Sequence, residues 1–179
     1  MALKNSNKGY SLVELIIVIA IIALISAMSM LTISVIHSAK AKDAAIRVDS
    51  EVGEIIASSR GKAYDSTDLS KYYALKIYKA NNTFYIMRGY AQTDPADTSK
   101  YIFYDDGKNV IAEGYSLSPY VDIDWSKAVK KDELSNGILI VYSKSGQCLA
   151  GYGEYIFKKK NGSVVATDYI RQNGTHASK

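Results

Sequence analysis

The most distinctive feature of the sequence is an apolar run near its N-terminus. The 22 residues from Leu15 to Ile36 include no Asp, Glu, Lys, Arg or His. As an α-helix this run would be roughly 33 Å long at about 1.5 Å per residue, enough to cross a hydrocarbon core of about 30 Å. The run therefore predicts a helix that spans a membrane once.

The helical pattern continues beyond the apolar run but becomes amphipathic. Polar and charged residues now alternate with a stripe of small and apolar ones at steps of three and four, which places the stripe on one face of a helix. The stripe consists of Ala41, Ala45, Val48, Val52, Ile55 and Ser59. Arg60-Gly61 is a typical helix stop. We therefore predict one continuous helix of about 50 residues, apolar all round in its first half and amphipathic in its second.

From about Tyr72 the pattern changes to short strands separated by turns. The predicted strands are residues 73–78, 83–87, 101–104, 109–112, 138–142, 155–157 and 164–166. Turn signals occur at Asn81-Asn82, at 105–108 and at Asn161-Gly162, of which the last is the strongest hairpin signal. Residues 94–97 are expected to form a loop, and residues 173–179 a frayed tail.

Successive hairpins predict an antiparallel sheet, which can pack one face on a helix and expose the other. The amphipathic stripe of the helix is expected to cover one face of this sheet. The predicted fold class is therefore α+β: a long N-terminal helix, membrane-spanning in its first half and amphipathic in its second, packed on a C-terminal antiparallel β-sheet.

Composition and charge argue against several functions. The net charge is +4, but acidic residues are interspersed with basic ones and no basic stripe indicates nucleic-acid binding. His37 and His176 lack metal-ligand spacing, and we predict no cofactor, metal site or catalytic residue. Cys148, the one cysteine, cannot form an intramolecular disulfide. It is expected to be a half-buried small apolar residue, with an intermolecular disulfide as the alternative.

The segment before the apolar run is short and polar. Residues 1–9 carry Lys4 and Lys8. A secretory signal peptide cleaved near Ser29 would also begin in this way, but Glu14 stands where such a peptide should already be apolar. Carrying a carboxylate to the membrane centre costs about 2.5–3.5 kcal/mol. Glu14 therefore needs a partner, unless its side chain merely reaches back to the lipid headgroups.

Residues 8–15, Lys8-Gly9-Tyr10-Ser11-Leu12-Val13-Glu14-Leu15, together with the apolar run, resemble the N-terminal signature of type IV prepilins. In that family a basic leader ends in Gly, prepilin peptidase cuts after it, the new N-terminal residue is N-methylated, and a Glu stands fifth from the cut. The resemblance implies cleavage between Gly9 and Tyr10 and methylation of Tyr10. It assigns the leader charges to Lys4 and Lys8. It gives Glu14 an assembly role, paired with the Tyr10 amine of a neighbouring subunit.

Two features depart from the family pattern. Tyr10 replaces the commoner Phe, and the apolar helix has no Gly or Pro midway.

The organisation that the resemblance implies is a leader at 1–9, a transmembrane and assembly half-helix at 10–36, an amphipathic half-helix at 37–61 and an antiparallel β head at 62–179.

The resemblance implies a non-enzymatic subunit of an extracellular filament used in adhesion, motility or surface contact. Its partners would be copies of itself in a helical homopolymer, prepilin peptidase, the assembly ATPase and platform protein, and the membrane. Before assembly the chain would cross the cytoplasmic membrane once with its head outside. Two alternatives stay open: a minor pilin or pseudopilin of a type II secretion or DNA-uptake system, and a membrane-anchored binding or sensor domain that never polymerises.

Overall fold

The computed structural model describes residues 10–107, 114–129, 137–160 and 162–179, excepting the side chains of residues 30 and 31. The predicted strand 109–112 and Asn161 of the predicted turn lie outside these residues. The chain divides into two compact units, with the boundary between Ile36 and His37. One helix, α1 (Leu12–Ser59), contributes residues to both units, as the sequence predicts.

Residues 12–36 of α1 form the apolar unit. The large apolar side chains that the structure describes in this unit are exposed, and by length and composition the helix could cross a membrane. The hydroxyls of Ser26, Ser29 and Thr32 donate to backbone carbonyls four residues earlier, over 2.7, 2.9 and 3.1 Å. These polar groups are therefore satisfied within the helix, which lowers the cost of placing them in lipid.

The second unit contains ten strands among the described residues. They are β1 (Tyr72–Ala80), β2 (Thr83–Thr93), β3 (Tyr101–Asp105), β4 (Tyr115–Ser116), β5 (Val121–Asp124), β6 (Gly137–Tyr142), β7 (Cys148–Ala150), β8 (Gly153–Lys159), β9 (Val164–Ile170) and β10 (His176–Ser178). One sheet has the order β3-β2-β1-β6-β7, with β4 also paired to β2, and the other has the order β10-β9-β8-β5. The ladders are antiparallel, as predicted, but the described strands form two sheets rather than one.

The β1–β2 hairpin turns at Asn81-Asn82, as predicted. Both residues have positive φ, 47° and 61°, and Ala80 pairs with Thr83. Two left-handed central residues match the twist of the flanking strands, and Asn tolerates that conformation better than other side-chain-bearing residues. The local sequence thus fixes the register of the longest ladder.

The second half of α1 covers the strands through the predicted stripe. All six stripe residues are buried, at 4% exposure or less. The five apolar ones pack in one core with Leu75 and Ile77 of β1 and with Tyr155 and Phe157 of β8. The helix therefore contributes to the packing of both sheets, and the α+β arrangement of a long helix on antiparallel sheets is the pilin-like fold that the sequence predicts.

The helix stop also follows the prediction. The N–H of Arg60 donates to the Ile56 carbonyl over 3.2 Å, and Gly61 adopts φ 75°. Glycine reaches this left-handed conformation without the steric cost that a Cβ imposes, which lets the chain turn away from the helix axis.

The prediction of a frayed tail at 173–179 was wrong. Residues 176–178 form β10 on the edge of the second sheet, and Thr167 and Lys179 exchange backbone hydrogen bonds of 2.9 and 2.8 Å. The tail lacks the hydrophobic alternation of a strand. It is ordered by pairing with the neighbouring strand β9 and by a contact between His176 and Asp49, 127 positions earlier.

The exposure predicted for Cys148 was also wrong. The residue is 1% exposed rather than half-buried, and its Sγ donates to the carbonyl of Ala150 over 3.0 Å. Burial raises the pKa of the thiol to about 12. A buried, protonated thiol behaves as a small apolar group, which favours the packing role over the intermolecular disulfide.

Candidate processing and assembly site

The first turn of α1 is built on Ser11. The backbone N–H of Leu15 donates to the Ser11 carbonyl over 3.1 Å, the first bond of the helix. The Ser11 hydroxyl oxygen accepts the N–H of Val13 over 3.2 Å and lies 3.5 Å from the Glu14 nitrogen. Ser11 is therefore the N-cap, because it satisfies N–H groups that have no partner within the helix.

Glu14 completes this cap from the other side. Its Oε2 accepts the backbone N–H of Ser11 over 3.0 Å. A Ser and a Glu three residues apart that bind each other's backbone in this way form a capping box. A negative charge in the first helical turn is further favoured by the positive end of the helix dipole. Glu14 thus has a role within its own chain.

The resemblance to prepilins implies an intermolecular pair for Glu14, and the capping box is not among the features predicted from the sequence. The signal was present, because Ser11-Leu12-Val13-Glu14 before an apolar run is the Ser-x-x-Glu pattern that marks a helix start. Ser11 is therefore a functional candidate in addition to those predicted from the sequence.

The structure brings Tyr10, Ser11 and Glu14 together at the end of α1. Tyr10 is 86% exposed and precedes the helix, and Glu14 is exposed as well. Lys4, Lys8 and Gly9 lie outside the described residues. Among the described residues, only Ser11 binds the Glu14 carboxylate, through Oε2. Glu14 Oε1 can therefore accept a hydrogen bond from a cation.

The neighbours of the two histidines are an aromatic ring and a single carboxylate, not a set of metal ligands. The His37 ring stacks on Tyr120 with 4.4 Å between ring centroids, and His176 contacts Asp49. Within the described part of the chain, no group of three or more His, Cys, Asp or Glu side chains could hold a metal ion.

Comparison with protein families places a known motif on this segment. The model described as the prokaryotic N-terminal methylation motif matches residues 4–30. Comparison with curated proteins and comparison with solved structures each gave no match to this chain. The matched range includes Lys4, Lys8, Gly9, Tyr10 and Glu14.

The motif is typical of type IV pilins and prepilins, which are structural proteins and not enzymes, in agreement with the sequence analysis. It implies processing by prepilin peptidase and pilus-like assembly. Joined to the apolar part of α1, it indicates a membrane-anchored precursor. The chain therefore carries the N-terminal methylation motif of the type IV pilin and prepilin family on a pilin-like α+β fold, and it is a type IV pilin- or pseudopilin-like protein.

Proposed function

We propose that the chain is the precursor of a structural subunit of an extracellular, type IV pilus-like filament that serves adhesion, motility or surface contact. The observation that carries the proposal is the methylation motif at residues 4–30, which leads into an exposed apolar helix with Glu14 in its first turn. A capping box needs only a Glu or Gln at this place, whereas a charged carboxylate next to lipid is costly. The charge of Glu14 is therefore better explained by a cationic partner in a polymer of such helices than by a lone membrane anchor.

In this proposal prepilin peptidase cleaves between Gly9 and Tyr10 and the Tyr10 amine is then methylated. The two residues that follow the cleaved bond, Tyr10 and Ser11, precede α1 and are not helical. Gly9 has no side chain, which lets an extended peptide lie close to a protease cleft. Lys4 and Lys8 serve as the leader charges on the cytoplasmic side.

Cleavage creates a positive amine on Tyr10. In a stack of parallel helices, Glu14 of one subunit pairs with this amine on its neighbour, so that two charges are buried together that neither helix could bury alone. One such polar contact per subunit would set the axial register of the stack. Ala20, Ala23 and Ala27 are small and would allow close approach of the helices.

The remaining organisation follows from this role. Residues 1–9 are the leader, 10–36 span the membrane and later form the filament core, 37–61 cover the strands, and 62–179 form the head. Before assembly the chain is held in the cytoplasmic membrane with its head outside. The assembly ATPase and platform protein then transfer it into a homopolymer.

The proposal is tested by the intact mass of the native protein. We expect a chain that begins at Tyr10 with one added methyl group, and we expect Gly9→Leu to retain residues 1–9. A native chain that keeps residues 1–9, or one cut near Ser29, would contradict the proposal. The fraction of sheared filament made of this chain separates a major subunit from a minor pilin or pseudopilin, which would be present in few copies.

A further inference from the structure

The two oxygens of the Glu14 carboxylate differ in what they contact. Oε2 accepts the Ser11 N–H over 3.0 Å, whereas Oε1 binds no described residue. The Ser11 hydroxyl in turn accepts the Val13 N–H over 3.2 Å. The Ser11 hydroxyl therefore determines where α1 begins, and this start places the backbone N–H of Ser11 where it holds the Glu14 side chain.

We propose that Ser11 is a positioning residue for the assembly contact: the capping box starts α1 at Leu12 and holds Glu14 through Oε2, leaving Oε1 for the Tyr10 amine of a neighbouring subunit. This inference rests on the proposed function, in which Glu14 pairs with that amine. Ser11 itself does not touch the amine and acts through Glu14.

Fixing the carboxylate in advance favours association for an entropic reason. A free glutamate side chain rotates about three bonds, and a neighbour that captures it must stop those rotations. The capping box stops them before the neighbour arrives, so less conformational entropy is lost on contact. Next to lipid, an unsatisfied N–H of the first turn is also more costly than in water, which makes the start of the helix sensitive to its cap.

Three substitutions separate the cap from the charge. Ser11→Ala removes the hydroxyl that accepts the Val13 N–H, and Ser11→Thr keeps a hydroxyl that can do so. Glu14→Gln keeps an oxygen that accepts the Ser11 N–H, as Gln does in a capping box, but removes the charge that binds the amine.

The test uses the full chain, processed in cells with their assembly machinery, and two measurements. Hydrogen exchange of the Val13 and Glu14 amides in detergent micelles reports on the cap, and the yield of sheared filaments reports on assembly. For Ser11→Ala we expect normal cleavage, roughly fivefold faster exchange and a several-fold lower filament yield. Ser11→Thr should match the wild type in both measurements.

Glu14→Gln should exchange as slowly as the wild type and form no filaments. Ser11→Ala with wild-type exchange, or with fast exchange and a full filament yield, would overturn the role of Ser11 while leaving the proposed function standing. A full filament yield from Glu14→Gln would overturn the charge pair itself, and with it the positioning of Glu14 by Ser11.

Discussion

His176 Nδ1 lies 2.5 Å from Oδ1 of Asp49, a contact that ties the last strand of the chain to the second half of α1. The imidazole also packs on Gly53, where an added Cβ would lie 3.5 Å from Nε2. The edge strand β10 is therefore attached to the helix as well as to β9, which explains why this short polar strand is ordered.

Asp168 lies next to this contact, and we predict that it makes the head less stable as the pH rises. The residue is 2% exposed, and neither carboxylate oxygen has a hydrogen-bond partner among the described residues. Burial raises the pKa of Asp168 from 3.8 to about 6; the nearby Ser178 opposes this rise and the charge of Asp49 adds to it. Because the folded chain binds this proton more tightly than the unfolded chain, stability is full at low pH and falls by up to about 3 kcal/mol as the pH passes through 6.

Asp168→Asn removes this titration. The variant should be more stable than the wild type at about pH 7.5 and similar to it at about pH 4 when unfolded by urea. Asp43→Asn, which changes an exposed carboxylate, serves as the matched control. Its free energy of unfolding should change between the two pH values by as much as that of the wild type. Equal stabilities of wild type and Asp168→Asn at both pH values would show that the buried carboxylate costs nothing.

The head should fold without the apolar half of α1. The second compact unit begins at His37, and its core is formed by side chains of the helix stripe and of both sheets. We therefore expect a fragment of residues 38–179 to be soluble, monomeric and cooperative in thermal unfolding, as single domains of this size usually are. Calorimetry and light scattering test this. A molten fragment beside a well-folded full chain in micelles would mean that the apolar half is needed for folding.

Glu51 should contribute strongly to stability although it is charged. It is 3% exposed and binds two cations, Arg47 over 2.6 Å and Arg88 of β2. The hydrogen bond from Arg88 to Glu51 raises the pKa of the guanidinium. Glu51→Ala removes the buried carboxylate, but the Arg47 and Arg88 side chains that it leaves behind are 44% and 42% exposed and can be hydrated. The free energy of unfolding of the 38–179 fragment should therefore fall by about 1.5–3 kcal/mol, the usual range for hydrogen bonds to charged groups.

Glu54 provides the matched control for Glu51. It also binds Arg88, over 2.5 Å, but its side chain is 57% exposed. Water and salt screen such a pair, so Glu54→Ala should cost less than about 1 kcal/mol. Similar losses for the two variants would contradict the importance assigned to burial.

The features that could be predicted from the sequence are those determined by neighbours along the chain. The stripe from Ala41 to Ser59, the turn at Asn81-Asn82 and the helix stop at Gly61 follow from local spacing and backbone preference. The burial of Glu51 and the contact of β10 with α1 depend on partners distant in sequence: Asp49 and His176 are 127 positions apart. At the candidate site, the Ser11–Glu14 cap was local and predictable, whereas the neighbour that Glu14 is proposed to bind lies in another chain.

Cys148 should be unreactive in the folded chain. A thiol reacts as its thiolate, and a pKa of about 12 leaves almost none at neutral pH. We expect no reaction of the native protein with Ellman's reagent, one reactive thiol per chain in guanidinium, and no disulfide-linked dimer. Ser145 is exposed, and Ser145→Cys combined with Cys148→Ser is the positive control, which should react at once. Rapid labelling of native Cys148 would contradict its burial.

Glu14→Ala should leave membrane insertion and cleavage intact while stopping filament formation. The substitution makes the helix more apolar, so membrane retention should not fall, and Gly9 at the cut is unchanged. The Tyr10 amine of each neighbour loses its counter-charge, and breaking a buried pair costs about 3–5 kcal/mol at every subunit contact. Cell-bound and sheared fractions are compared in a strain that carries only the variant, with Asp43→Ala as the control that removes one exposed carboxylate from the same helix. Normal filaments made of the Glu14→Ala chain would refute the pairing of Glu14 with the Tyr10 amine.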